Sequence, residues 1–246
     1  MKINIVFLIF CLSVTVINAQ EITNVVYFDD NGAVIEKAKK AAFFSIVYKY
    51  PDHFQRLDYK KAAPLLKERN YADDSLKILE GNYFEYAANG QLSVSGYYKN
   101  NLKEKSWWYY NDTGKAILEE KYVEGVLVKS INMDTVKKDT LKTSPFKKVE
   151  VEADFTTGVK GWGKYLMNNL NADLASKSKK GGTVRVAFVV DTAGICKDLY
   201  LRKSVEYVLD EEAKRVIRYS PPWIPAKQDG KLVNAYRIQP ITFVKQ

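Results

Sequence analysis

His53 is the one histidine in a chain of 246 residues, and Cys11 and Cys196 are its two cysteines. A hydrolytic triad or a zinc centre needs several such groups converging on one point. His53 lies instead in the turn-like stretch YPDHFQRLD, with no partner set in the sequence. Asp210, Glu211 and Glu212 stand together, but they open a run that ends on Arg215 and Arg218. Acidic residues at a helix start and basic residues at its end answer the helix dipole, so these carboxylates read as helix-start electrostatics, with Asp210 as the cap. There is no glycine-rich phosphate loop and no HExxH motif. The expectation is a chain that is not an enzyme, with no catalytic residue, no metal ligand and no cofactor. Cys196 follows Gly194-Ile195 on an expected strand and reads as a small packed residue rather than a reactive thiol.

The groups left with binding chemistry to offer are those of the backbone. The stretch SPPWIPAKQDGKLVNAYRIQPITF, residues 220–243, holds a rigid Pro-bracketed tryptophan, a turn at Asp229-Gly230 and then an alternating run. Proline fixes φ and removes an N–H, so Pro221 and Pro222 end the preceding helix and pin the crossing. Trp223 is expected to plug a seam between helix and sheet. The run from Leu232 to about Val244 is expected to be a last strand. At a sheet edge such a strand exposes unpaired N–H and C=O groups, a template for an incoming extended peptide. Cover by another chain or by the preceding domain is the alternative.

The elements that must position this strand start at Gly161. Trp162, Leu166, Leu170 and Leu174 are four apart, which predicts one helical stripe. Val184, Val186, Phe188 and Val190 alternate with Arg185, Ala187 and Val189; Asp191 to Gly194 is a hairpin turn; Ile195 to Lys203 returns as the partner strand. With the helix from Asp210 and the last strand, the order is α-β-β-α-β, a two-layer domain with an antiparallel sheet.

Residues 81–128 repeat. Tyr86 and Tyr110, Gly90 and Gly114, Leu92 and Ala116, Tyr98 and Tyr122, Asn101 and Gly125 each stand 24 residues apart. The unit is a short strand, a turn such as Asp112-Thr113-Gly114, and another short strand. Gly and Asn tolerate the positive φ of tight turns, and Tyr and Trp suit a pleated surface. Each unit therefore reads as a β-hairpin whose aromatic face needs a neighbour. A weaker copy, YFDDNGAVIEK, places Phe28 and Gly32 at the same offset. The array resembles MORN-like repeats and the antitoxin-type repeat proteins of bacteria, which implies a binding or scaffolding surface; a sheet that only spaces or caps the next domain is the alternative. The fold class is thus α+β: an all-β hairpin-repeat domain at 20–132, a lysine-rich linker at 133–158 and the α-β-β-α-β domain at 159–246.

The first residues, MKINIVFLIFCLSVTVINAQ, carry Lys2, an uncharged run from Ile5 to Ile17 and a small residue at Ala19. This is the pattern of a signal peptide at 1–19, cleaved after Ala19, although an uncleaved anchor is the alternative. Export leaves Cys196 as the one thiol and places the chain in the periplasm or cell envelope. The net charge is +9. Its lysines are scattered through the linker rather than focused on an aromatic groove, so nucleic acid is not an expected partner.

The blocks GWGKYLMNNL, GTVRVAFVVDTAGICKDLYLRKS, LDEEAKRVI and PPWIPAKQDGKLVNAYRIQPITF, in that order, resemble the C-terminal domain of the TonB energy-transducer family. The resemblance implies a small antiparallel sheet with two helices packed on one face. It further implies that the last strand captures the short N-terminal "box" of an outer-membrane TonB-dependent transporter, which would fall to Val233, Asn234, Ala235, Tyr236, Arg237 and Ile238. Trp162, Pro221, Pro222 and Trp223 would be structural. The family's N-terminal helix, whose polar face includes a histidine, couples to a proton-driven motor complex. The N-terminal run here has no histidine, and the family's long Pro-rich spacer is replaced by the aromatic repeats, so energy coupling stays open. The alternative is a structural protein that forms a homodimer by edge-strand pairing or scaffolds envelope partners.

Overall fold

The computed structural model describes residues 20–135, 149–178 and 181–244. The expected leader peptide and Lys137, Lys138, Lys142, Lys147 and Lys148 lie outside them. The chain is mostly β, with a large antiparallel sheet at the N-terminal side and a smaller sheet with helices at the C-terminal side.

In the large sheet, strands β1 (Glu21–Phe28), β2 (Val34–Ile35), β3 (Phe43–Lys49), β4 (Phe54–Lys60), β5 (Leu65–Tyr71), β6 (Leu79–Tyr86), β7 (Leu92–Lys99), β8 (Leu102–Tyr110), β9 (Ala116–Val123) and β10 (Val126–Asn132) pair in the order β10-β9-β8-β7-β6-β5-β4-β3-β1-β2. From β3 to β10 the large sheet is a meander, and β1 lies between β3 and β2. Residues 24 apart fall at equivalent places: Tyr86 and Tyr110 close β6 and β8, while Leu92 and Ala116 open β7 and β9. The turns share one chemistry. Asp29 Oδ1 accepts from the N–H of Asn31 and Ala33, Asn111 Oδ1 from Thr113 and Lys115, and Asp191 Oδ1 from Ala193 and Ile195. An Asp or Asn side chain thus holds each loop, and the glycine three residues on takes the positive φ that closes it.

The C-terminal unit contains α1 (Gly158–Asn169), α2 (Ala172–Lys177), β11 (Gly182–Val190), β12 (Cys196–Lys203), α3 (Tyr207–Arg218), a ribbon of β13 (Ala226–Gln228) and β14 (Lys231–Val233), and β15 (Ala235–Phe243). Three expectations are corrected here. The stripe from Trp162 to Leu174 is two helices, because the chain turns extended at Leu170 (ψ 133°) and the Asn171 N–H is taken by Glu212 at 2.7 Å. The cap position of α3 is Glu206, while Asp210 is buried one turn in, accepting from the Val205 N–H at 2.9 Å. The last strand is broken at Asn234, so its first residues form β14 rather than part of the sheet.

One cluster of buried side chains runs through both units. It joins Ile46, Leu57, Tyr59, Leu65, Phe84, Tyr86 and Leu92 of the large sheet to Val184, Phe188, Leu201, Leu209, Ile217 and Trp223. Part of the segment read as linker belongs to it: Ala153 and Phe155 are buried. Trp223 is 4% exposed, with its ring centroid 5.2 Å from Phe188, 5.4 Å from Trp162 and 5.6 Å from Phe155. Its indole N–H donates to Ser220 Oγ at 2.9 Å. Trp223→Ala is therefore expected to cost about 3–5 kcal/mol, read as a lowered denaturant midpoint. Pro221 and Pro222 follow the end of α3 and are exposed, and Thr156 Oγ1 donates to the Pro222 carbonyl. Cys196 is half-buried, and burial pushes its thiol up to about 11, which keeps it protonated at neutral pH.

Candidate functional site

The smaller sheet has the order β12-β11-β15. β11 is central and covered on both faces, which is why Ala187 is as buried as Val186 and Phe188. The two outer strands differ. The C-terminal end of β12 is met by the large sheet: Gln91 bridges Lys203, the Ser204 N–H donates to the Gly90 carbonyl at 2.9 Å, and Ser204 Oγ accepts from the Leu65 N–H at 2.7 Å. β15 pairs with β11 on one side, and among the described residues no strand pairs with its other side.

Pro240 fixes which backbone groups face outward. β15 runs against β11 without a register shift from Ala235↔Val190 to Phe243↔Gly182, with Pro240 opposite Arg185. Proline has no N–H, so that pair cannot be a hydrogen-bonded one. Alternation then turns the N–H and C=O groups of Ala235, Arg237, Gln239, Ile241 and Phe243 to β11. Those of Tyr236, Ile238 and Thr242 point away from β11, where Pro240 offers only its carbonyl. The six expected residues are thereby sorted. Tyr236 and Ile238 carry outward groups. Ala235 and Arg237 use theirs within the sheet. Val233 pairs with Ala226 in the ribbon, and Asn234 lies between the two strands. Val233 and Asn234 thus lie outside β15, a correction of the expected edge run.

Tyr236 also faces a cleft of about 680 Å³ between the two sheets, lined on one side by Val189, Tyr200 and Arg202 and on the other by Ser95, Trp108 and Tyr110. Phe84 stacks on Tyr200 at 4.7 Å, the Tyr200 and Tyr236 hydroxyls are hydrogen-bonded, and the Arg202 guanidinium lies 4.4 Å from the Tyr110 ring centre. No spacing along the chain ties the repeats to the last strand, so this juxtaposition is visible in the fold alone.

The join between the units is polar as well as apolar. Asp210 is fully buried and accepts from Ser204 Oγ and from Tyr59 Oη at 3.1 Å. Burial pushes its carboxyl up to about 7, against the pull of Ser204, the Val205 N–H, Lys214 and Tyr59. Glu68 accepts from Gln55 at 2.8 Å, and burial likewise pushes it up to about 7, with Lys214 opposing. Unfolded, both groups titrate near 4. Between about pH 4 and 7 the folded chain therefore holds protons that the unfolded chain has released, so stability falls as pH rises through that window and levels off above it. The melting temperature is expected to drop from pH 5 to pH 8, and Asp210→Asn to flatten part of that slope.

Residues 173–244 match the family described as the Gram-negative bacterial TonB protein C-terminal. This part of the chain is similar to a TonB C-terminal domain. The match takes in β11, β12, α3 and β15; α1 with Trp162, and the whole hairpin array, lie outside it. No curated protein and no solved structure matches the chain. A TonB C-terminal domain implies a TonB-like envelope protein of transport energy coupling, in a non-enzymatic family whose partners are outer-membrane TonB-dependent receptors in general. No helix among the described residues is long and apolar enough to cross a membrane.

Proposed function

We propose that this chain is an exported envelope protein whose TonB C-terminal domain takes up an extended peptide segment of a TonB-dependent outer-membrane transporter by strand addition to β15. The observation that carries the reading is the asymmetry of the small sheet. One edge is met at its C-terminal end by Gly90 and Gln91, and the other presents the outward backbone groups of Ile238 and Thr242. Main-chain hydrogen bonds would supply affinity, and side chains beside the edge would supply choice. The hairpin array, MORN-like in its spacing, packs against the end of β12 and hinders a partner strand there. Residues 1–19 are the leader that places the chain beyond the inner membrane.

The test is fluorescence anisotropy with labelled synthetic peptides copied from the N-terminal segments of TonB-dependent transporters, paired with light scattering of the protein alone. Saturable one-to-one binding to a monomer supports the reading. A peptide-independent dimer that dissociates on Ile238→Pro would mean that the edge belongs to a second copy of the chain, and would overturn it.

A further inference from the structure

We propose that the hairpin array carries a binding site for a small monocarboxylate with an apolar body, in a cavity of about 220 Å³ lined by residues of β1, β3, β4 and β5. Every lining residue falls between Phe28 and Arg69, so the site is independent of β15 and of strand addition. Its charge begins in the ladder. Arg56 of β4 stands directly opposite Arg69 of β5, and Ser45 of β3 stands opposite Asp58. Like charges placed directly opposite each other on adjacent strands repel, so this pair needs an anion between them.

Asp58 supplies only half of it. Its Oδ1 accepts from Arg56 Nε at 2.8 Å and from Ser45 Oγ, and its Oδ2 accepts from Arg69. Ser45 Oγ in turn accepts from Arg56 at 2.9 Å. Arg56, Asp58 and Arg69 are the charged residues of the lining, which leaves one positive charge in excess. Bulk water answers that charge only in part, because the Arg56 and Arg69 side chains are 29% and 26% exposed. Arg69 Nε is buried and has no hydrogen-bond partner among the described residues. A single excess guanidinium calls for a monoanion, and its planar fork matches a carboxylate. Phe28, Phe43 and Leu66 supply apolar lining beside it. An apolar pocket with a few convergent polar groups holds a ligand by its body and orients it by its head.

The test titrates the full chain with benzoate, acetate and inorganic phosphate and follows the backbone amide shifts. Benzoate is expected to give saturable shifts confined to β1, β3, β4 and β5, and to bind roughly tenfold or more tighter than acetate, the scale of burying its ring. Phosphate carries the charge without the apolar body and is expected to bind no tighter than acetate. Arg69→Gln removes the excess charge, and Leu66→Trp fills the cavity while keeping both guanidiniums on Asp58. Each is expected to weaken benzoate at least about tenfold, the scale of one charge-assisted hydrogen bond or of one displaced ring. Lys67→Gln is the control: Lys67 pairs with Glu85 at 3.1 Å and does not line the cavity, so benzoate binding is expected to stay unchanged. Because Leu66→Trp leaves the ion pairs in place, the test stands even where Arg69→Gln fails to fold. Benzoate binding that survives the cavity variants, an equal loss in Lys67→Gln, phosphate binding tighter than benzoate, or no benzoate shifts at all overturns the site.

Discussion

Ile238→Pro is expected to abolish peptide uptake while the small sheet stays folded. The N–H of Ile238 points to the open side of β15, so replacing it removes no hydrogen bond to β11. Pro240 already occupies the same parity in the same strand, which shows that the ladder tolerates the ring there. The stability loss should be small, roughly 1 kcal/mol, while the outward donor at the centre of the edge is lost to any partner. Affinity for transporter peptides is expected to fall at least tenfold, with the far-UV spectrum retained. The neighbouring change Arg237→Pro gives the opposite pattern. It removes a donor that faces β11, so the sheet itself is expected to lose roughly 3 kcal/mol or more. A matched pair in which only the inward position damages the fold would establish the alternation read from Pro240.

The second large effect is expected at Gly90, far in sequence from the edge. Its φ is +80°, and a Cβ there would stand 2.1 Å from the carbonyl oxygen of Ser204. Gly90→Ala therefore meets both a left-handed backbone and a collision with main chain of the other unit. Their combined cost is roughly 2–5 kcal/mol. Gly230 is the control: its φ is +71°, but an added Cβ meets nothing within 4 Å, so Gly230→Ala should cost only about 1–2 kcal/mol. Because the two units share one core, Gly90→Ala is expected to lower a single cooperative transition rather than split it, which calorimetry would read directly.

The local parts of this architecture were legible in the sequence. The 24-residue spacing and the Asp-x-x-Gly and Asn-x-x-Gly turns place the strands of the array, since each turn is held by its own side chain. The alternation of β11 and the proline-ended helix α3 are local patterns too. The misreadings have long-range causes. The helical stripe looked continuous to Leu174 because nothing nearby signals that Glu212, 41 residues on, takes the Asn171 N–H. Asp210 looked like a cap because its partners Tyr59 and Ser204 come from elsewhere in the fold. Phe155 read as linker because its aromatic neighbours, Trp162 and Trp223, stand outside its own segment.

The candidate site was half legible. The family resemblance pointed to the last strand. Pro240 carried the signal that sorts its residues, since a proline in a paired strand fixes which way every neighbour's N–H must turn. The cleft had no such signal. It exists because residues 95–110 and 189–236 face each other across two sheets, a relation that no spacing along the chain encodes.

Amide hydrogen exchange along β15 tests the central claim most directly. In the isolated protein the N–H groups of Ile238 and Thr242 are expected to exchange fast while those of Arg237, Gln239 and Ile241 are protected, and a transporter peptide is expected to slow Ile238. Uniform protection of all five in the isolated chain, indifferent to added peptide, would contradict it.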